Sequence, residues 1–306
     1  MTDPATTERP PGEPAVGDPP AIIRVGVVGC GLMGSGIAEV SARAGLDTVV
    51  VERDADALEM GRRRLEASMA RAVRAAKLSE PEREDAASRL TFATDYDALA
   101  DRQLVVEAVI EAEADKVAVF QSLDKVVEDR QAILASNTSS IPIMKLAMAT
   151  QRPEQVLGLH FFNPVPVLNL VELVSSLLTA PSTAERAQSF AEGRLQKKVI
   201  RSQDRAGFVV NALLVPFILS AVRMYESGFA TREDIDAGMV EGCAHPMGPL
   251  ALADLIGLDT TMAVAESLYA EFKEPAYAPP PVLSRMVEAG LLGRKSGRGF
   301  YHYTRS

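Results

Sequence analysis

Histidine and cysteine are scarce in this chain of 306 residues, with three of the first and two of the second, and aromatic residues make up only 5%. Two cysteines, Cys30 and Cys243, cannot build a disulfide framework. Neither stands in a cluster spaced for metal ligation, so no metal site is expected. That usage suits a reducing compartment, and a cytoplasmic protein is expected. Positive charge is not in excess either. Thirty-two Lys and Arg against 41 Asp and Glu leave a net charge of −9, which argues against a nucleic-acid or anionic-membrane partner. No apolar run approaches the ~20 residues of a membrane span. What remains is an ordinary globular mix, 47% hydrophobic and 24% charged. The length suits about two domains at ~150 residues each, with room for a core that needs no covalent staples.

Residues 1–20, MTDPATTERPPGEPAVGDPP, hold six prolines and no apolar stretch. Such a composition buries too little surface to offset its ordering entropy, and a disordered tail is expected there. From Ala21 the chain reads as folded. Ile22–Val28 is a strand, 32–44 a helix closed by Gly45, 48–52 a strand, and 54–77 a long helix with Asp54 as its cap. Leu104–Val109 and Ala132–Ala135 read as strands on either side of a helix at 113–128. Val156–Phe161, Leu170–Val174 and Lys197–Ser202 are three further strands. Strands alternating with helices indicate βαβ units and a mostly parallel sheet. After Asp204 the pattern turns helical: 208–227, a helix capped by Thr231 with Asp234 in an acidic capping box, then 249–257, 259–272 and 281–289. A short strand is expected in Gly299–Tyr303. The fold class is therefore α/β, a Rossmann-type domain over residues 21–203 followed by an all-α C-terminal domain over residues 204–306.

Gly29-Cys30-Gly31-Leu32-Met33-Gly34 is a GxGxxG hexamer. Alone it is weak, but here it follows a strand, opens a helix, and precedes an acid, Glu52, by eighteen residues at the end of the next strand. That context is the dinucleotide-binding fingerprint. Gly29 allows the tight turn, Gly31 lets the backbone approach a pyrophosphate, and Gly34 allows close helix–strand packing. Leu32 and Met33 complete the turn, at a helix N-terminus suited to anions. Glu52 would accept hydrogen bonds from ribose hydroxyls and repel a 2′-phosphate, favouring NAD over NADP. Arg53 weakens that inference, since a neighbouring guanidinium can pair with a 2′-phosphate.

Of the histidines, His302 lies in the C-terminal FYHY segment and His245 precedes Pro246 in a loop between helices, where a local structural role is expected. His160 ends an apolar strand. If the runs at 156–161 and 170–174 form an antiparallel hairpin turning at Val165–Val167, His160 and Glu172 fall opposite one another, with Cβ atoms ~4.5–5.5 Å apart. A carboxylate on one ring nitrogen fixes the tautomer and leaves the other to exchange a proton with substrate. Spacing alone leaves a purely structural pair equally open.

Five further segments carry a family resemblance: Ala135-Ser-Asn-Thr-Ser-Ser140, Gly158-Leu-His-Phe-Phe-Asn-Pro164, Gly207-Phe-Val-Val-Asn211, Pro246-Met-Gly-Pro249 and Gly293-Arg-Lys-Ser-Gly-Arg-Gly-Phe-Tyr301. With the glycine loop, they occur in the order seen in L-3-hydroxyacyl-CoA dehydrogenases, and the chain resembles that family over roughly residues 22–303, in its stand-alone short-chain form. The resemblance implies hydride transfer between C3 of a 3-hydroxyacyl-CoA and NAD, with 3-hydroxybutyryl-CoA as the substrate type. It implies His160 as general acid/base, Glu172 as its orienting carboxylate, Ser139 in contact with substrate and nicotinamide, and Asn211 positioning the acyl group. Residues matching Glu52, Glu111, Lys116, Asn163 and Lys295 approach the dinucleotide in the family. Plainer readings stand beside these: Glu111, Lys116 and Lys295 as solvated charges, Asn163 as the opener of the Asn-Pro turn. Two departures flank Asn211, Ala206 where relatives often have proline and Ala212 where they often have arginine. The resemblance also implies a homodimer through the C-terminal helices.

CoA is anionic, and the helix at 54–77 offers a local answer to the net negative charge. Arg62, Arg63, Arg64, Arg71, Arg74 and Lys77 stand there against Asp56, Glu59 and Glu66. One face could meet CoA phosphates at a domain cleft, or could be an ordinary solvated face. Two other functional classes stay open: a dehydrogenase of a free hydroxy acid, similar to gulonate 3-dehydrogenases, and a non-catalytic crystallin-like dinucleotide binder.

Overall fold

The structure, a computed structural model, describes residues 21–303. The tail expected at 1–20 lies outside the described residues. Eight strands form one sheet: β1 (Arg24–Val28), β2 (Asp47–Val51), β3 (Leu90–Ala93), β4 (Leu104–Glu107), β5 (Ile133–Ser136), β6 (Val156–Phe161), β7 (Leu170–Ser175) and β8 (Lys198–Gln203). Their spatial order is β3-β2-β1-β4-β5-β6-β7-β8. Every neighbouring pair is parallel except β6 with β7. The strand order reverses between β1 and β4, and a doubly wound sheet opens a ligand crevice at the carboxyl ends of the strands flanking such a point.

Helices cover both faces. Side chains along a strand alternate sides, so Val50, Leu104 and Val106 meet α1 (Leu32–Arg43), α2 (Ala55–Arg74) and α6 (Pro181–Gly193). Val49, Val51 and Val105 join the opposite layer, with Phe120 and Leu123 of α4 (Glu113–Val126) and Leu146 of α5 (Ile143–Ala147). The expected caps are present. Asp54 accepts a hydrogen bond from the N–H of Ala57 at 2.7 Å, and α1 closes at Gly45, whose φ is +80°. The short helix α3 (Glu80–Ser88) and β3, which together return the chain to the sheet edge beside β2, carry no apolar run and were not expected from the sequence.

A separate helical layer follows β8: α7 (Val210–Glu226), α8 (Arg232–Cys243), α9 (Pro249–Ile256), α10 (Leu258–Phe272) and α11 (Pro281–Glu288). Ile218, Leu219, Leu250, Leu268, Leu283 and Phe300 form its core. The strand expected at Gly299–Tyr303 does not form. The segment makes only isolated bridges from Arg298 to Gly293 and His302, because Asp254 takes the N–H groups of Phe300 and Tyr301, both at 2.9 Å. The helical layer is tied to the sheet beside its crevice. Ser267 of α10 donates to the Ser140 carbonyl at 2.9 Å, and Asp204 accepts from the N–H groups of Ile143 and Met144 at 2.8 and 2.7 Å.

Candidate active site

The glycine loop sits at the carboxyl end of β1. Gly29 has φ +90°, and a Cβ there would lie 2.7 Å from the Ala108 carbonyl oxygen. A Cβ on Gly34 would lie 1.8 Å from the Gly29 carbonyl oxygen, so α1 can start this close to β1 only without a side chain. Gly31 is different: a Cβ there meets nothing within 4 Å. Its bareness serves no packing need within the chain, and it faces open space where a pyrophosphate would approach. Gly31 caps α1 without any side-chain acceptor, leaving the first-turn N–H groups at Leu32 and Met33 suited to an anion. These residues fit a dinucleotide.

A cavity of about 570 Å³ runs from this loop past Glu52, Arg53, Arg64 and Tyr96 to α4. Glu52, immediately after β2, accepts from the Cys30 N–H at 2.6 Å. A second cavity of about 310 Å³ is lined by Met33, Glu111, Lys116, Asn137, Ser139 and, from α10, Asp259 and Val264. Ala108 and Val109 line both, so the two are ends of one cleft, closed at the second end by the helical layer.

At that second end, three side chains form a chain of hydrogen bonds. β6 and β7 pair in the register His160 opposite Glu172. Nδ1 of His160 lies 2.7 Å from Oε2 of Glu172, and Nε2 lies 3.1 Å from the Ser139 hydroxyl. With Nδ1–H donated to the carboxylate, Nε2 is the acceptor that faces Ser139. Both His160 and Glu172 are buried. Burying a carboxylate is costly unless donors meet it; here Oε1 also accepts the N–H groups of Val209 and Val210 at 3.1 and 2.8 Å. The imidazole is flanked by the rings of Phe162 and Phe208, 4.6 and 5.5 Å away by centroid. Phe208 holds a φ of +49°, a conformation uncommon outside glycine.

Family models now decide the assignment. The NAD-binding domain model of 3-hydroxyacyl-CoA dehydrogenases matches residues 24–205, and the model of their C-terminal domain matches residues 207–303. The chain belongs to the 3-hydroxyacyl-CoA dehydrogenase family. It is 61% identical over 283 residues to a 3-hydroxybutyryl-CoA dehydrogenase of Mycobacterium tuberculosis, covering 92% of this chain and 99% of that one. A crystal structure from M. tuberculosis, also 61% identical, covers 93% of this chain and 100% of its own with a TM-score of 0.92. An (S)-3-hydroxybutyryl-CoA dehydrogenase structure from Ralstonia eutropha is 44% identical, with a TM-score of 0.88, covering 93% of this chain and 100% of its own. The enzyme is an oxidoreductase with NAD as its cofactor.

The remaining residues expected at the site fall into distinct settings. Glu111 accepts from the N–H groups of Ser139 and Ser140 at 2.8 and 3.1 Å and from the Thr138 hydroxyl at 2.5 Å, so it organises the loop that carries Ser139. Burial pushes its carboxyl up, but the Lys116 ammonium and these donors outweigh that, and the net direction is down. Lys116 is not a solvated charge. It is buried, 2.6 Å from Glu107 and 3.3 Å from Glu111. Lys295 is half-exposed and paired with Asp259 at the cleft wall, 2.6 Å away. Asn163 is exposed after the end of β6, and Asn211 lies in the first turn of α7 beside Val210; neither lines the two cavities. His302 is exposed, and the His245 ring packs at a tilt against Phe217, 5.5 Å between centroids. Ala206 uses the N–H that a proline would lack, donating to Glu271 at 2.8 Å.

The basic face of α2 does not act as a unit. Arg63 pairs with Glu59 at 2.8 Å, Arg62 lies over the Phe92 ring at 4.4 Å, and Arg64 reaches the Cys30 carbonyl at 2.9 Å. Reading the sequence alone missed Glu107, Asn137 and the ring of Phe208. Glu107 holds Lys116 and accepts from the Ser136 hydroxyl at 2.6 Å, and Asn137 accepts from the Phe161 N–H at 2.8 Å. An acid at the end of an otherwise apolar strand, Leu104-Val-Val-Glu107, was the available signal.

Proposed function

We propose that the enzyme interconverts short 3-hydroxyacyl-CoA and 3-ketoacyl-CoA esters, 3-hydroxybutyryl-CoA and acetoacetyl-CoA first among them. The observation that carries this reading is the Ser139–His160–Glu172 chain at 3.1 and 2.7 Å, beside a cleft continuous with the glycine loop. In the oxidative direction, His160 Nε2 takes the proton of the C3 hydroxyl; in reduction it returns it. Glu172 fixes the ring through Nδ1 and stabilises the imidazolium that forms. Ser139 hands its hydrogen bond from the imidazole to the substrate oxygen, and Asn211 positions the acyl group from the start of α7. When bound, NAD⁺ would supply the acceptor for the C3 hydrogen and its bonding electron pair, taken together as hydride as the C3–H bond breaks and the C3 carbonyl forms. Gly29, Gly31, Leu32, Met33 and Gly34 would hold its pyrophosphate and Glu52 its ribose, with Glu111, Lys116, Asn163 and Lys295 as the further residues that would approach it.

The short acyl chain is supported by the high identity to enzymes named for the four-carbon substrate. The division of labour falls near residue 203 in this reading, with the sheet carrying the cofactor and the helices closing the substrate end; the last strand ending at Gln203 and the change of family model between residues 205 and 207 support it. A homodimer through the helical part is supported by apolar side chains left exposed there, Leu213 at 73% and Phe229 at 79%. Among the described residues, no helix is long and apolar enough to cross a membrane, and both cysteines are free, which supports a cytoplasmic setting.

The test is NADH oxidation with acetoacetyl-CoA, longer 3-ketoacyl-CoAs and free acetoacetate side by side, on the wild type and His160→Ala. Acetoacetyl-CoA is expected to be the best substrate and free acetoacetate to be inert. A positioned acid or base is typically worth ~10²–10⁴-fold, so the variant should lose at least about a hundredfold while retaining NADH. Near-normal turnover in His160→Ala would remove the imidazole from the mechanism, and equal rates with free acetoacetate would remove CoA from the substrate.

A further inference from the structure

We propose that Arg64 is a cofactor-binding residue of this enzyme, clamping the glycine loop and presenting its guanidinium to the pyrophosphate side of NAD. The inference rests on the reading of the glycine-loop cleft as the NAD site.

The peptide groups around Cys30 are held from two sides. Its N–H goes to Glu52 Oε1 at 2.6 Å, and its carbonyl receives Nη1 of Arg64 at 2.9 Å. The approach of α2 that makes this possible is built in. A Cβ on Gly61 would lie 2.5 Å from the Cys30 Cβ and 2.6 Å from its Sγ, so this position must be bare for α2 to run against the loop. Arg64 follows Gly61 by three residues and therefore stands on the same face of the helix. Its side chain enters the wall of the larger cavity beside Gly31 and Glu52.

The neighbouring cations are otherwise engaged. Arg53 pairs with Asp54 at 3.0 Å and Arg63 with Glu59 at 2.8 Å, while Arg62 lies 4.0 Å from Glu59. Among the described residues, Arg64 has no carboxylate within ion-pair distance and spends one guanidinium nitrogen on the Cys30 carbonyl. A guanidinium offers five N–H donors in a fixed fork that matches phosphate oxygens. The cleft also holds Glu52, whose charge opposes a pyrophosphate, in a protein of net charge −9. A cation fixed against the loop offsets that acid at the place where it matters. Arg64 thus belongs to the NAD site and not to the CoA-facing surface expected of α2.

The experiment titrates NADH against the cofactor-free protein, following the emission of the directly excited reduced nicotinamide. Three variants are compared with the wild type: Arg64→Met, Arg64→Lys and Gly31→Asp. Gly31 has an ordinary φ of −67° and open space around its Cβ, so Gly31→Asp folds but puts a negative side chain where the pyrophosphate binds. Hydrogen bonds from a charged donor, discounted for exposure, suggest that Arg64→Met raises the Kd for NADH about fivefold to twentyfold. Arg64→Lys should recover part of this by keeping the charge but not the fork. Salt should weaken NADH binding more steeply in the wild type than in Arg64→Met, with the melting midpoint of the cofactor-free protein unchanged.

An unchanged Kd in Arg64→Met, with binding abolished in Gly31→Asp, overturns the role of Arg64 and leaves the NAD site in place. Unchanged binding in both overturns the site itself. A weaker Kd accompanied by a lower melting midpoint and a wild-type salt dependence makes Arg64 a packing residue, which also overturns the inference.

Discussion

Glu172 and His160 face one another across the single antiparallel ladder of the sheet, and Glu172 also binds the first N–H groups of α7. One carboxylate thus sets the imidazole and the start of the helical layer together. Glu172→Gln keeps the size and one acceptor oxygen but loses the charge that stabilises an imidazolium. Acetoacetyl-CoA reduction is expected to fall about tenfold to a thousandfold, with NADH affinity retained. Steady-state kinetics beside an NADH titration check this, and a variant that loses both equally would show that the carboxylate chiefly holds the fold.

Lys116 and Glu107 form a fully buried ion pair, 2.6 Å apart. Removing one partner of such a pair leaves an uncompensated charge, at a cost of about 3–5 kcal/mol. Lys116→Met should therefore lower the unfolding free energy by that order in a urea titration. Glu107→Gln added to Lys116→Met should recover part of the loss, since the amide oxygen can still accept from the Val109 N–H and the amide NH2 can donate to the Ser136 hydroxyl, with no net charge. A double variant less stable than the single one would contradict the assignment.

Glu111 titrates below the usual carboxyl value of 4.5 in the folded protein. A depressed folded value means stability that is present above the unfolded pKa and lost as pH falls through the folded one. Melting midpoints measured from about pH 6 down to about pH 3 should fall, and Glu111→Gln should flatten part of that decline below about pH 4.5. An acid limb as steep in the variant as in the wild type would show that other carboxylates carry it.

Cys30 is buried, and desolvation together with the Glu52 charge pushes its thiol up to about 11 despite the opposing Arg64 guanidinium. Cys243 is exposed. The thiolate is the reactive form, so native protein near neutral pH should titrate one thiol with Ellman's reagent and denatured protein two. Fast labelling of both in the native state would mean that the glycine loop opens.

The helix caps, the glycine loop and the His160–Glu172 register were legible because each depends on residues close together in sequence or on a short hairpin. A Gly–x–Gly turn after an apolar strand and an apolar run broken by one histidine carry their meaning locally. α3 and β3 were not legible, since Leu90–Ala93 has no apolar run and becomes a strand only by pairing with β2. The expected strand at Gly299–Tyr303 failed for the converse reason, as Asp254, distant in sequence, claimed its backbone donors.

By itself, the sequence determined that a dinucleotide loop, an acid after β2 and an imidazole opposite a carboxylate exist, because turn chemistry and strand periodicity act over a few residues. Only the tertiary structure decided which charges are solvated and which are spent. Lys116 read as a dinucleotide contact or as a solvated charge, and became half of a buried pair because β4 ends in Glu107 beside it. Arg62, Arg63 and Arg64 read as one basic face, and α2 separated them because Gly61 lets the helix close on Cys30 and turns only Arg64 toward the cleft. Charge is visible in a sequence, but its partners are fixed by packing between segments far apart along the chain.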